Sequence, residues 1–260
     1  MDDFWLHAVL FLAALAAGFV DAIAGGGGLI TVPVLLWAGL PEVDALATNK
    51  LQSSFGSASA VAHYARAGLI DVRACALGMV VAFLAAAGGA LAVTHLDRDF
   101  LRWAIPFLLL AIALYTGFRP RLGEASRQPR LPAAVFAIGF GVLLGFYDGF
   151  FGPGTGSFWT IAYVLVQGLD LRRATAHTKS MNFASNIFSL ACFLTVGRGH
   201  LHWSAGLVMG VGQWLGARLG ARLVITRGTR FIRPVFLSVV IALTLKLLWD
   251  RLRLSDDDSM

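Results

Sequence analysis

Long apolar runs alternate with short polar breaks along most of the chain. Runs over 5–24, 45–65, 72–95, 100–118, 131–150, 174–196, 203–224 and 231–250 approach the roughly 20 residues a helix needs to cross a bilayer. No run shows the strict alternation of a strand, and hydrocarbon offers loose backbone groups no partner. Each run is therefore predicted to be a helix. Two shorter apolar pieces, 29–40 and 157–168, follow glycine-rich breaks. The longest polar stretch is RPRLGEASRQPR, 119–130, which reads as a linker; no soluble domain of any size is present. The pattern predicts an all-α polytopic membrane protein.

The pattern occurs twice. GFVDAIAGGGGLITV, from Gly18, lies over GFYDGFFGPGTGSFWTI, from Gly145, with Asp21 on Asp148 and Gly25 on Gly152. ATNKLQSSFGS (47–57) lies over AHTKSMNFASN (176–186), with Lys50 on Lys179, Ser53 on Asn182 and Ser57 on Asn186. FLRWAIPFLLLAIAL (100–114) matches FIRPVFLSVVIALTL (231–245). We read two structural repeats, 1–118 and 131–250, joined by the 119–130 linker and followed by a polar tail, 251–260. Each holds about four full transmembrane helices and one short glycine-interrupted half-helix.

Repeat orientation depends on that short piece. With four crossings per half the repeats run parallel, and basic residues divide nearly equally between the faces. Counting the short piece gives five crossings and inverted repeats. Arg66, Arg73, Arg119, Arg121, Arg127, Arg130, Arg172, Arg173, Arg227, Arg230 and Arg233 then share one face, against Arg98, Arg102, Arg198, Arg251 and Arg253 opposite. That imbalance favours inversion, with both termini outside. Twelve residues cover only about 18 Å, so such a piece crosses only beside a water-filled vestibule or a thinned bilayer.

Composition agrees: charged residues make up 14% of the chain, against about 25% in soluble domains. Trp5, Trp103, Trp203 and Trp249 fall at span ends, where interfacial aromatics belong, whereas Trp37, Trp159 and Trp214 do not. The net charge of +6 is spread over loops and helix ends, so it reads as topology rather than nucleic-acid binding. Cys75 and Cys192 lie in apolar spans and read as packing residues, not as a disulfide or metal ligands. His63, His95 and His200 lack ligand spacing and read as structural. AIA at 22–24 resembles a signal cleavage site, but Met-Asp-Asp gives no positive leader and the region recurs later.

Glycine weakens a helix by about 1 kcal/mol relative to alanine, so Gly25 to Gly28 should end one. In secondary transporters, matching interrupted segments in two halves mark the binding site near the midplane. A helix restarting after the break aims its positive dipole end and backbone N–H groups at an anion. Gly26, Gly27, Gly28, Gly154, Thr155 and Gly156 are the expected backbone contributors.

Lysine at bilayer depth costs roughly 2.5–3.5 kcal/mol, so Lys50 and Lys179 need a partner or a role. Lys50, Ser53, Ser54 and Ser57 share one helical face, and Lys179, Asn182 and Asn186 share the matching one. With Asn49, Gln52, His177 and Thr178 beside them, these groups can replace water around a small oxyanion. Asp21 and Asp148 can pair with the lysines, carry protons, coordinate a coupling cation or cap the next helix. Phe55, Phe151, Phe158 and Phe183 are candidates to accept an organic tail.

The glycine break after an aspartate, the TNK and HTK stretches (48–50 and 177–179) opening the next helix, and the duplication together resemble the TauE/SafE family. The resemblance covers nearly the whole chain. It implies a multi-pass carrier of the bacterial inner membrane that exports small sulfur-containing anions such as sulfite, sulfoacetate or other sulfonates. Expected partners are the small anionic substrate, the lipid bilayer, a coupling proton or cation, and further copies of the chain. No cofactor, metal or nucleic acid is expected. His177 and Met181 stand where the first half has Thr48 and Gln52, so the two halves differ at these positions. The alternatives are an anion channel, a carrier of a non-sulfur carboxylate, or an assembly factor. An enzyme is not expected: GPGTGS lacks the lysine of a phosphate-binding loop, and no HExxH occurs.

Overall fold

A computed structural model describes residues 3–97, 100, 101, 104, 105, 107, 111, 126, 128–195 and 200–227. Most of the 100–118 run and of the linker lie outside the described residues, as do the whole 231–250 run and the 251–260 tail. Among the described residues every regular element is helical: α1 (Asp3–Ala24), α2 (Gly28–Trp37), α3 (Glu42–Arg66), α4 (Val72–Thr94), α5 (Ala133–Phe150), α6 (Thr155–Leu165), α7 (Leu171–Thr195) and α8 (Trp203–Arg227). Three of them, α1 from Phe4, α4 and α5, are long and apolar enough to span a membrane. α3, α7 and α8 are each 25 residues long, about 37 Å at 1.5 Å per residue. In α3 and α7 a buried polar stripe lowers the mean apolarity.

Glycine and alanine stripes set the helix pairing. α8 lays Gly212, Gly216 and Gly220 in order against Phe11, Leu15 and Phe19 of α1. α5 lays Gly145 and Gly149 in order against Ala82 and Ala86 of α4. Spacing of four keeps the small residues on one face and lets the backbones close in, as membrane helices without a solvent-driven hydrophobic force require. Both pairs run parallel. α3 also runs with α8: Leu51 meets Gly206, Phe55 meets Gly210 and Gly56 meets Gln213. α7 runs with α4, with Met181 on Gly78 and Phe188 stacked on Phe83 at 3.9 Å. α3 and α7 run oppositely, because Lys50 meets Asn186 while Tyr64 packs near Ala176. α1 and its sequence counterpart α5 therefore point in opposite directions.

One end of the bundle gathers the starts of α1, α3 and α8 with the end of α2, where Leu10, Val34, Leu35, Ala45 and Ala205 cluster. α2 thus turns back toward the end from which α1 came. α6 does the same at the other end, where Val166 O accepts from Arg130 N at 2.7 Å. Asp71 and Asp170 cap α4 and α7 there; each accepts from the second and third backbone N–H groups that follow it. The described basic loop residues Arg66, Arg73, Arg130, Arg172, Arg173 and Arg227 all lie at this second end. Trp5 and Trp203 are exposed at the first end, as their positions predict, and so is Trp37 at the end of α2. Trp159 is fully buried.

Candidate functional site

The two chain breaks meet. After α1 the backbone enters the left-handed region at Gly25, φ +75°, a conformation that costs little only without a Cβ. Gly25 lies directly on Gly156, where an added methyl would sit 2.8 Å from Gly25 Cα. Gly152 has φ +92° and leaves the space into which Lys50 Nζ reaches. Ser157 of α6 donates to Ala24 O at 3.2 Å and Gly28 lies against Pro153, so each broken segment braces the other.

The lysines cross between the halves. Lys50 of α3 pairs with Asp148 of α5 at 2.7 Å and donates to Asn186 Oδ1 at 3.2 Å. Its ammonium also donates to the Asp148 carbonyl, and Ser185 donates to the other carboxylate oxygen. Lys179 of α7 pairs with Asp21 of α1 at 2.8 Å, and Gly27 N–H donates to Asp21 Oδ1 at 3.0 Å. Both lysine side chains are almost wholly buried, at 1% and 0% exposure. Each buried ammonium is compensated by an opposite charge taken from the other half of the chain.

Further contacts recur between the halves. Thr31 and Thr160 donate back to Gly27 O and Gly156 O, one turn earlier. The same hydroxyls join Asn49 Oδ1, at 2.6 Å, and Thr178 Oγ1, at 3.1 Å. Thr48 accepts from His202 N just before α8, and His177 Nε2 accepts from Asp71 N just before α4. The structure therefore places His177 at the second end of the bundle, holding a loop against Tyr163, rather than beside the ion pairs. Its bulk and ring nitrogen do there what the Thr48 hydroxyl does at the first end.

Other predicted residues divide. Asn49 and Gln52 form a buried amide cluster with Thr31, and Gln52 Nε2 donates to Asn49 Oδ1 at 2.7 Å and to Ser53 Oγ at 3.3 Å. Ser54 and Ser57 bond back to Lys50 O and Ser53 O of their own helix. Asn182 lies beside Gly156. Gly154 precedes α6 with φ +84°, and Thr155 closes that turn on Gly152 O at 2.7 Å. Among the aromatics, Phe151 is buried, Phe158 stands edge-on to Tyr147, and Phe55 covers Gly210 of α8.

Thr31, Thr160, Ser157 and Ser185 escape the sequence reading. The two threonines carry a legible signal: they lie 129 residues apart, the same offset as the two lysines. Ser185 overlies Gly56 and has no counterpart to reveal it. Asp44, held by His200 at 2.6 Å and His202 at 3.3 Å, is likewise invisible in one dimension.

A family model described as "Sulfite exporter TauE/SafE" matches residues 10–247. The "Probable membrane transporter protein ORF9" of Sinorhizobium sp is 46% identical over 255 residues, covering 96% of both chains. The "Probable membrane transporter protein YfcA" of Escherichia coli K12 is 45% identical, covering 94% of this chain and 90% of its own. A "Probable membrane transporter protein" of Haemophilus influenzae is 44% identical over 95% of this chain and 96% of its own. No solved structure matches. The chain belongs to the TauE/SafE family of membrane transporters.

Proposed function

We propose that the protein is a secondary transporter that exports small sulfur-containing anions, sulfite, sulfoacetate and other sulfonates, by alternating access around the two broken helices. The observation that carries this reading is the pair of crossed ion pairs, Lys50–Asp148 and Lys179–Asp21, at the junction of two glycine breaks. An entering anion competes with a carboxylate for an ammonium. Whichever pair it loosens is a link between the two halves, so binding and relative movement are coupled. Asp21 and Asp148 are the two candidate carboxylates through which a proton or cation couples to the anion.

The opposite directions of α1 and α5 support inverted repeats, the arrangement in which one half rocks against the other. Clustering of the described basic loop residues at one end supports a multi-pass protein of the inner membrane with that end in the cytoplasm. Backbone groups at the breaks and the amides of Asn182 and Asn186 help the lysines to replace the anion's hydration. No reaction on the anion is needed for this role.

The test is counterflow in proteoliposomes loaded with sulfite, sulfoacetate, taurine or a plain carboxylate. Saturable exchange that prefers the sulfur anions supports the proposal. Non-saturating flux without counterflow identifies a channel, and preference for the carboxylate identifies a different substrate class.

A further inference from the structure

The two ion pairs have the same partners in sequence but not the same surroundings. Asp148 is 5% exposed, and its carboxylate is held by Lys50, with Ser185 on the other oxygen. Asn186 supplies Lys50 with another acceptor. Asp21 is 16% exposed and is held by Lys179 and the Gly27 N–H. One turn beyond Lys179, Asn182 is more than nine-tenths buried, and its Oδ1 has no hydrogen-bond partner among the described residues. Asn182 Nδ2 and Lys179 Nζ both border Gly156 at the junction of the breaks. A buried acceptor without a donor is costly and calls for an explanation such as a ligand.

The described groups at the centre carry two positive and two negative charges, so the resting cluster is neutral. An added anion has no uncompensated charge to meet there. Burying it without compensation is expensive. A proton on one carboxylate restores the balance and frees one ammonium. Of the two carboxylates Asp21 is the more accessible, at 16% exposure against 5% for Asp148, so it is the one that water reaches.

We infer that Asp21 is the proton-coupling residue and that Lys179 and Asn182 receive the anion, while Lys50–Asp148 stays closed as a tie between the halves. This inference rests on the transport reading above. Water delivers a proton to Asp21, an O–H bond forms there, and the neutral carboxyl releases Lys179. The anion takes the vacated donor, and the Asn182 amide turns its NH2 toward the anion or accepts from a protonated ligand oxygen. One proton enters the site with each anion, and the net direction of transport follows the anion and proton gradients together. Among the described residues, the titratable group beside Asp21 is Tyr64 of α3, whose hydroxyl donates to Ala22 O, and Arg172 of α7 lies within electrostatic reach of Tyr64. α8 meets α1 through glycines and Gln213, α2 through the Gly27 N–H, and α6 through Ser157.

The test uses the full-length protein in proteoliposomes, with methanesulfonate, sulfoacetate and sulfite as probes and a trapped pH dye. An acid-outside step should accelerate uptake, up to about tenfold per pH unit, the linkage limit for a single proton. The dye should record one proton per anion, and uptake of monovalent methanesulfonate should ignore an imposed potassium-diffusion potential. Asp21→Asn should keep a reduced exchange without any pH-gradient response. Asp148→Asn, where exchange survives, should keep that response. Exchange driven by potential and indifferent to the pH gradient overturns the inference alone. So does a pH response that persists in Asp21→Asn or disappears only in Asp148→Asn. If Asp21→Asn does not fold, the wild-type proton count decides. No exchange of any probe removes the transport reading together with this one.

Discussion

Lys50 shows what a single residue must satisfy here. Its stem crosses from α3 to α5, and its ammonium finds a carboxylate, a carbonyl and an amide. Removing the lysine alone strands the Asp148 charge, which costs about 3–5 kcal/mol for a buried pair. We therefore expect Lys50→Ala to lower the thermal unfolding midpoint in detergent sharply. Lys50→Met combined with Asp148→Asn should recover most of that stability while leaving transport impaired. Equal midpoints for the single and double variants would contradict this pairing. The lysines themselves were legible in the sequence, because a charge in an apolar run needs a reason. Their partners were open among several roles, since Asp21 and Lys179 lie 158 residues apart. His177 was misleading because helical spacing places it near Lys179 without revealing that its ring points to the next loop.

At the level of elements, the breaks depend on glycine for two separate reasons. Gly25 has a positive φ and also touches Gly156; Gly39, in the turn after α2, has φ +90° with open space where a Cβ would go. Gly39→Ala should cost about 1 kcal/mol from backbone strain. Gly25→Ala adds a collision with the partner segment, so it should cost more and abolish exchange. Thermal unfolding and counterflow of the two variants check this, and equal effects would remove the contact argument. The breaks were readable because four glycines contradict a helix, and among the described residues helix ends fell within a few residues of the apolar runs. The Gly212, Gly216, Gly220 and Gly145, Gly149 stripes were not read. Small residues give no apolar-to-polar contrast, and only their spacing of four discloses a close-packed face.

Across the whole molecule, chain direction and charge agree. The described arginine-bearing loops share one end, while the opposite end carries Asp44, His200, His202 and exposed Trp5, Trp37 and Trp203. In a background with Cys75 and Cys192 replaced by Ala, Pro41→Cys at the first end should react with an impermeant maleimide added to intact cells. Ala67→Cys at the second end should react only after lysis. The reverse pattern would invert the proposed orientation. The pairing of Asp21 with Asp148 and of Lys50 with Lys179 as counterparts was legible because residue types recur in the same order, at offsets of 127 and 129. The crossed pairing between halves was not, because it arises only when the two repeats interlock. The initial rate of counterflow for purified, folded Lys179→Met against wild type, with the best-exchanged sulfur anion, tests most directly whether a buried ammonium binds the anion. Loss of one charged donor predicts a fall of roughly 10- to 150-fold; an unchanged rate would contradict the claim that this ammonium binds the anion.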